Sequence, residues 1–220
     1  MAYEGVESAE GNITINDGVI NLVTSDDGFN VAAGGDNQGG RQKSTESTTS
    51  TYLFQINGGY IALDAEGDGL DSNDDFEMTG GKVIVSGSSL TSNSALDVVG
   101  TLTVDNGFLV ASGSSRMAQA PGTSSDQNSI LVTFNSTLAA GTLVHIENQD
   151  GEEILNFEPP KSFDSMAFSS PELITGDTYT IYLGGSSSGT PIDWLYQGGT
   201  YTPGSHYTSF TISGTVTNVN

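Results

Sequence analysis

The sequence contains no cysteine, which excludes disulfides and thiolate metal sites and leaves oxygen donors as the means of holding a cation. Positive charge is almost as scarce: five lysines and arginines stand against 27 aspartates and glutamates, a formal net charge of −22. So acidic a chain excludes nucleic acid and anionic membrane surfaces as partners and makes cations its natural ones. No apolar run approaches the roughly 20 residues needed to cross a bilayer, so no membrane insertion is expected. Met1-Ala2 leads straight into patterned sequence without a signal segment, and we expect the chain to begin inside a longer parent. Neither a glycine-rich phosphate loop nor a nucleophile arrangement is present, and His145 and His206 each lack a second nitrogen ligand nearby, which makes them structural. What is there is apolar periodicity. Val, Ile, Leu and Phe recur at strand spacing with Gly and Ser between them, and 35% hydrophobic content over 220 residues is enough to bury a core, unlike a disordered acidic tail.

Four stretches superimpose when Gly18, Gly59, Gly81 and Gly107 are aligned. The positions five and three before and two and four after each glycine are Ile13/Ile15/Ile20/Leu22, Phe54/Ile56/Ile61/Leu63, Phe76/Met78/Val83/Val85 and Leu102/Val104/Leu109/Ala111. All but Ala111 are large and apolar. Apolar residues alternating on both sides of a recurrent glycine turn predict an all-β fold, a coil of stacked turns of the parallel β-helix kind. The glycines are 41, 22 and 26 residues apart, so one turn takes 22 to 26 residues and the first gap holds an insertion. Residues 34–51, polar and rich in Gly, Ser and Thr with Arg41 and Lys43 among them, supply it as a loop.

We expect the coils to occupy residues 1–124. From 125 to 220 the spacing changes to ordinary strands around Ile130–Phe134, Thr142–Ile146, Ile154–Phe157, Tyr179–Tyr182 and Phe210–Ser213, with a hairpin turn at Asp150-Gly151. These predict an antiparallel region that caps or extends the C-terminal end of the coil, where an uncovered end would expose strand edges. At the other end Glu4-Gly5-Val6-Glu7 matches the later corners, so the chain starts part-way round a turn and its first coil presents an open edge. That edge is either a truncation or a surface for end-to-end homo-oligomers.

The corners align into two acidic columns, Glu4/Asp27/Asp68/Ser94 and Glu7/Asn30/Asp71/Asp97, flanked by Asp26, Asp64, Glu66, Asn73 and Asp74. Stacked strands lie about 4.8 Å apart. Two unit charges at such a distance repel by roughly 1 kcal/mol in bulk water and several times more at a protein-like dielectric. Protonation with raised pKa values could offset this, while five bases are too few and too scattered to do so as ion pairs; calcium is the better solution, since it takes six to eight oxygens from just this mixture of Asp, Asn, Ser and Gly. Asp64-Ala-Glu66-Gly-Asp68-Gly69-Leu-Asp71-Ser-Asn73 resembles the start of a calcium loop, with alternate residues converging on one ion. The candidate calcium ligands are therefore Glu4, Glu7, Asp26, Asp27, Asn30, Asp64, Glu66, Asp68, Asp71, Asn73 and Asp97. Taken singly, any of these acids also reads as a solvated turn residue.

The runs YEGVES, SDDGFN, INGGYIALDAEGDGLDSN, FEMTGGKVIVSG, SGSSRMAQAPG and TLVHIENQDG resemble a bacterial family of secreted carbohydrate-binding domain proteins, over nearly the whole chain from Tyr3 to TSFTISGTVTNV. That family is similar to pectate lyases in its right-handed parallel β-helix with bound calcium. The resemblance implies a secreted or cell-surface protein that binds polysaccharides such as cellulose or pectic acid, without established catalysis.

Three functions compete. The first is calcium-dependent polysaccharide binding, with sugar faces stacked on Trp194, Tyr196 and Tyr201, to which Tyr207 lies close in sequence; these aromatics equally suit the core of the cap. The second is a pectate-type lyase, which needs a positioned base beside the metal. Only Lys82 and Arg116 qualify, and neither belongs to an acidic corner. The third is a calcium-triggered adhesin or filament subunit joined through the open first coil.

Overall fold

The structure, a computed structural model, describes residues 1–32 and 52–220. The expected insertion at 34–51, with Arg41 and Lys43, lies outside the described residues. The described chain is all-β: its only helical element is a single 3-10 turn at Ser115–Met117.

The first twelve strands fall into three sets, each drawing one strand from each repeat. One sheet runs β1 (Val6–Ser8), β4 (Phe29–Val31), β7 (Leu70–Ser72) and β10 (Leu96–Val98), and a second runs β2 (Ile13–Ile15), β5 (Leu53–Ile56), β8 (Asp75–Met78) and β11 (Leu102–Val104). The third set is β3 (Val19–Thr24), β6 (Tyr60–Ala65), β9 (Lys82–Ser86) and β12 (Phe108–Gly113). All pairs within these sets are parallel, and the register matches the columns read from the sequence. Ile13 faces Phe54, Phe54 faces Phe76 and Phe76 faces Leu102, while Ile20, Ile61, Val83 and Leu109 form the corresponding file in the third set.

The aligned glycines explain why each repeat turns where it does. Gly18, Gly59, Gly81 and Gly107 have φ of 114°, 92°, 91° and 111°, a region that favours glycine. At Gly59 a Cβ would also lie 2.8 Å from the Gly18 carbonyl oxygen. The alternating apolar residues point into one core, in which Phe29, Phe54 and Phe76 pack in succession, tilted and then edge-to-face, with ring centroids 5.1 and 5.2 Å apart. Burying each such ring stabilises the fold by about 1.5–3 kcal/mol.

Beyond β12 the sheets become mixed. β16 (Phe163–Ser169) lies antiparallel on β12, from Leu109 opposite Ser169 to Gly113 opposite Ser165. β13 (Ser129–Leu138) and β21 (Val216–Val219) follow it, completing a seven-stranded sheet. A separate six-stranded sheet holds β14 (Val144–Asn148), β15 (Glu153–Phe157), β17 (Thr178–Ser187), β18 (Thr190–Ile192), β19 (Leu195–Gln197) and β20 (Tyr201–Thr211). The expected turn at Asp150-Gly151 joins β14 to β15, with Gly151 at φ 76°. A second core lies between the two sheets, and Ile84 and Val110 belong to it together with Ile130, Phe168, Val144 and Ile181. β9 and β12 are thus buried on both faces, the condition under which a strand reads as a continuous apolar run. β16, β18, β19 and β21 are strands that the spacing did not reveal, and β1, β4, β7 and β10 stand where it showed only corners.

Candidate functional site

At the corner leading into the first sheet, Glu4-Gly5, Asp27-Gly28, Asp68-Gly69 and Ser94-Ala95 stand one on another. Gly5 N–H donates to the Asp27 carbonyl at 3.0 Å, Gly28 N–H to that of Asp68 at 2.9 Å, and Gly69 N–H to that of Ser94 at 3.1 Å. The approach is so close that a Cβ on Gly28 would lie 2.5 Å from the Gly69 carbonyl oxygen, which accounts for glycine after each acid. The second column stacks by strand pairing, Glu7 opposite Asn30, Asn30 opposite Asp71, and Asp71 opposite Asp97.

The columns bring Asp27, Asp68 and Asp71 together: each offers one carboxylate oxygen, these oxygens lie within 4.8 Å of one another, and all three residues are half-buried. The group is assembled across neighbouring repeats, with Asp27 from one and Asp68 and Asp71 from the next. It does not follow the alternate-residue pattern of a calcium loop: of Asp64, Glu66 and Asp68 only Asp68 joins the group, Asp64 lies within β6, and Asp71 sits in β7.

Backbone N–H groups offset part of this charge. The Asp68 N–H donates to Asp27 Oδ1 at 2.7 Å and the Ser94 N–H to Asp68 Oδ1 at 2.5 Å, while Asn30 Nδ2 approaches Asp27 Oδ2 at 3.5 Å. The same clamp recurs where Asp75 accepts the Thr101 N–H and Asp105 that of Asp126. Backbone donors are a compensation that residue spacing does not show.

Some of the cost remains. Burial pushes the Glu4 carboxyl above its ordinary range, reinforced by Asp27, Glu7 and Asp26 and opposed by the Asn30 amide. Asp27 is likewise raised, first by burial and then by Asp26 and Asp97, against the opposing Asp68 N–H. Glu4 Oε2 and Asn30 Oδ1 are buried with no hydrogen-bond partner among the described residues, and such an orphan costs about 1–3 kcal/mol. Every donor in the group is an oxygen, the ligand type that a hard divalent cation takes.

The other candidate ligands are placed differently. Asp64 and Glu66 turn to Lys161, whose Nζ lies 2.8 Å from Asp64 Oδ1 and 3.8 Å from Glu66 Oε1 and also donates to the Ala65 carbonyl. The expectation that the bases are too scattered to pair is therefore corrected for Lys161, which the second half of the chain carries back to the corner. Asp26 is half-buried beside Asp27, Glu7 is exposed on the edge strand β1, and Asn73 anchors the next repeat by donating its N–H to the Val31 carbonyl at 3.0 Å.

The aromatic candidates do not form one platform. Tyr201 stacks on the buried His145 at 3.8 Å, with interplanar angle 13°, and its hydroxyl donates to the Gly184 carbonyl. Tyr207 packs on Phe134 at 5.4 Å and accepts the Asn135 N–H. Trp194, at φ 68°, packs partly buried against the second core. Tyr196 is half-buried, and its hydroxyl donates to Glu158 Oε2 at 2.7 Å. Histidine 145 is less isolated than its sequence context implies: Glu147 and Glu153 each approach a different ring nitrogen at 3.6 Å, and burial holds its pKa below the ordinary value against the pull of Glu147.

One groove escaped the sequence reading. It has a volume of about 420 Å³ and is lined by Lys82, Phe108, Glu153, Asn156, Leu195 and Tyr196 among others. Lys82 Nζ sits 4.8 Å from the centroid of the Phe108 ring. Asn156 is only 2% exposed, donates to Glu153 Oε2 at 3.1 Å, and leaves its own buried Oδ1 without a partner among the described residues. The signal for this groove, the doubly apolar strands β9 and β12 that draw a second sheet over them, was present in the sequence. Its polar lining from β15 and β19 depends on packing.

The model of a family described as "Carbohydrate-binding domain-containing protein" matches residues 1–95. Neither the curated proteins nor the solved structures yield a match. The stretch similar to that family supports a carbohydrate-binding domain, and it holds Asp27, Asp68 and Asp71 within it.

Proposed function

We propose that the chain is a calcium-dependent, extracellular or cell-surface polysaccharide-binding domain without catalytic activity, its repeats wound as a right-handed parallel β-helix. The observation that carries this reading is the coincidence of two features in one stretch: residues 1–95 match the carbohydrate-binding family model, and the three converging carboxylates lie inside it. Calcium at Asp27, Asp68 and Asp71 would tie neighbouring repeats together, with Asn30 Oδ1 and the Glu4 carboxylate as further oxygen donors and water completing the shell. Cellulose or pectic-type glycans are the ligands in view, with Tyr196 the best placed of the three aromatic candidates because it borders an open groove. Of the two bases on which the lyase alternative relied, Lys82 lies over Phe108 and Arg116 belongs to the 3-10 turn; Lys161, which does reach the acidic corner, is ion-paired with Asp64 there.

An ion bound only by the folded form stabilises it by mass action, by about 2.7 kcal/mol at a hundredfold excess over Kd. Melting in calcium and in EDTA tests this, and identical curves would refute calcium dependence. Titration calorimetry should show that Asp68→Ala loses at least one calcium ion, while Asp177→Ala, in the turn before β17, retains the full number.

A second reading draws on β1, β2 and β3, each of which is the last strand of its sheet. Val19 and Val23 on β3 are 75% and 50% exposed, and such an edge can pair with another copy. Sedimentation at millimolar calcium distinguishes the two, since a chain that stays monomeric is no filament subunit.

A further inference from the structure

We propose that the groove between β9/β12 and β15/β19 is the sugar-binding site, and that it takes a neutral, hydroxyl-rich glycan in preference to a uronate. This deepens the polysaccharide-binding reading and rests on it. The groove is of small-ligand size, about 420 Å³, and combines apolar walls with a few convergent polar groups, the usual composition of such sites.

The polar groups divide the work. Asn156, 2% exposed, does not meet the ligand itself but holds Glu153, its amide donating to Glu153 Oε2 at 3.1 Å. Glu153, with its side chain 37% exposed, offers the acceptor. Lys82 has no ion pair among the described residues, although acids outnumber bases 27 to five, and its position over Phe108 at 4.8 Å keeps the ammonium at the groove wall. It is the charged donor of the set. Tyr196, its hydroxyl tied to Glu158 Oε2 at 2.7 Å, is held in one orientation and presents apolar ring surface to sugar C–H groups.

Charge selects between neutral and acidic glycans. The lining holds one cation, Lys82, and two carboxylates, Glu153 and Glu172, on a chain of net charge −22. A polyuronate meets repulsion from the molecule at long range and from the groove at short range, whereas a neutral chain loses nothing to either.

Titration calorimetry of the whole chain with cellohexaose and with hexagalacturonate, in calcium, tests this. Cellohexaose is expected to bind, and Lys82→Gln and Tyr196→Ala each to weaken it by about tenfold or more. Asp177→Ala, in the turn before β17 and not part of the groove lining, is expected to bind as the parent does. Melting curves identify any variant that fails to fold; Lys82→Gln, at a half-exposed position, provides the decisive comparison if Tyr196→Ala does. Cellohexaose binding unchanged in both variants overturns the groove but leaves polysaccharide binding standing. Tighter binding of hexagalacturonate overturns the preference for neutral sugars. A parent chain that binds neither glycan overturns the groove and counts against the polysaccharide reading as well.

Discussion

Asp27 illustrates how much of this protein depends on single carboxylates held above their usual pKa. Because burial and neighbouring acids raise it from 3.8 in the fold, the folded chain binds more protons than the unfolded one between that ordinary value and the raised one. Ion-free stability contributed by this group is therefore lost as pH rises through that window and regained as pH falls through it. Asp27→Asn keeps an Oδ1 acceptor for the Asp68 N–H but removes the charge. In EDTA at pH 7 the variant is expected to melt above the parent, with the difference vanishing as pH falls below 3.8. Added calcium should reverse the order, because the variant has lost a ligand. Scanning fluorimetry across pH, with and without calcium, measures both effects. The acid itself was legible in the sequence, and so was its column. Its N–H clamp was not, since the clamp depends on the offset between stacked backbones.

Among the elements, the stacked strands carry most of the stability. Phe54 is fully buried between Phe29 and Phe76, so Phe54→Ala should cost about 3–5 kcal/mol in chemical denaturation. Val19, 75% exposed on β3, should change stability by no more than about 0.5 kcal/mol when replaced by alanine. Gly28→Ala tests the corner: its Cβ would meet the Gly69 carbonyl oxygen, and overpacking of this kind costs about 1–3 kcal/mol. The repeat strands could be read because a recurrent glycine fixed the alignment and alternation fixed the face. β16 could not, since Phe163, Met166, Ala167 and Phe168 are all buried and a strand packed on both sides shows no alternation. The hairpin of β18 and β19 was hidden for the opposite reason: β18 is exposed along its whole length and carries no hydrophobic pattern.

On the scale of the molecule, the two halves of the sequence share their cores. Ile84 and Val110 from the repeats lie in the second cluster, and Ala167 from β16 lies in the first. A fragment of residues 1–124 would expose Ile84 and Val110 and leave β12 as an unpaired edge, a template for aggregation. We expect it to be insoluble or unfolded, measured by size-exclusion chromatography and circular dichroism beside the full chain. The long reach of Lys161 to Asp64 and Glu66 joins the halves again at the acidic corner.

The amino-acid sequence by itself determined the all-β class, the repeat, the register of its strands and the two acidic columns. All of these follow from local spacing: a glycine at positive φ, a pleat of period two and residues brought into line by hydrogen bonds between repeats. Tertiary structure alone decided which acids converge, which one meets Lys161, and where a groove opens. Those outcomes are set by contacts between residues far apart in the chain, such as Asp64 with Lys161 or Phe108 with the strands that carry Asn156 and Tyr196, and no periodicity in the sequence encodes such a distance.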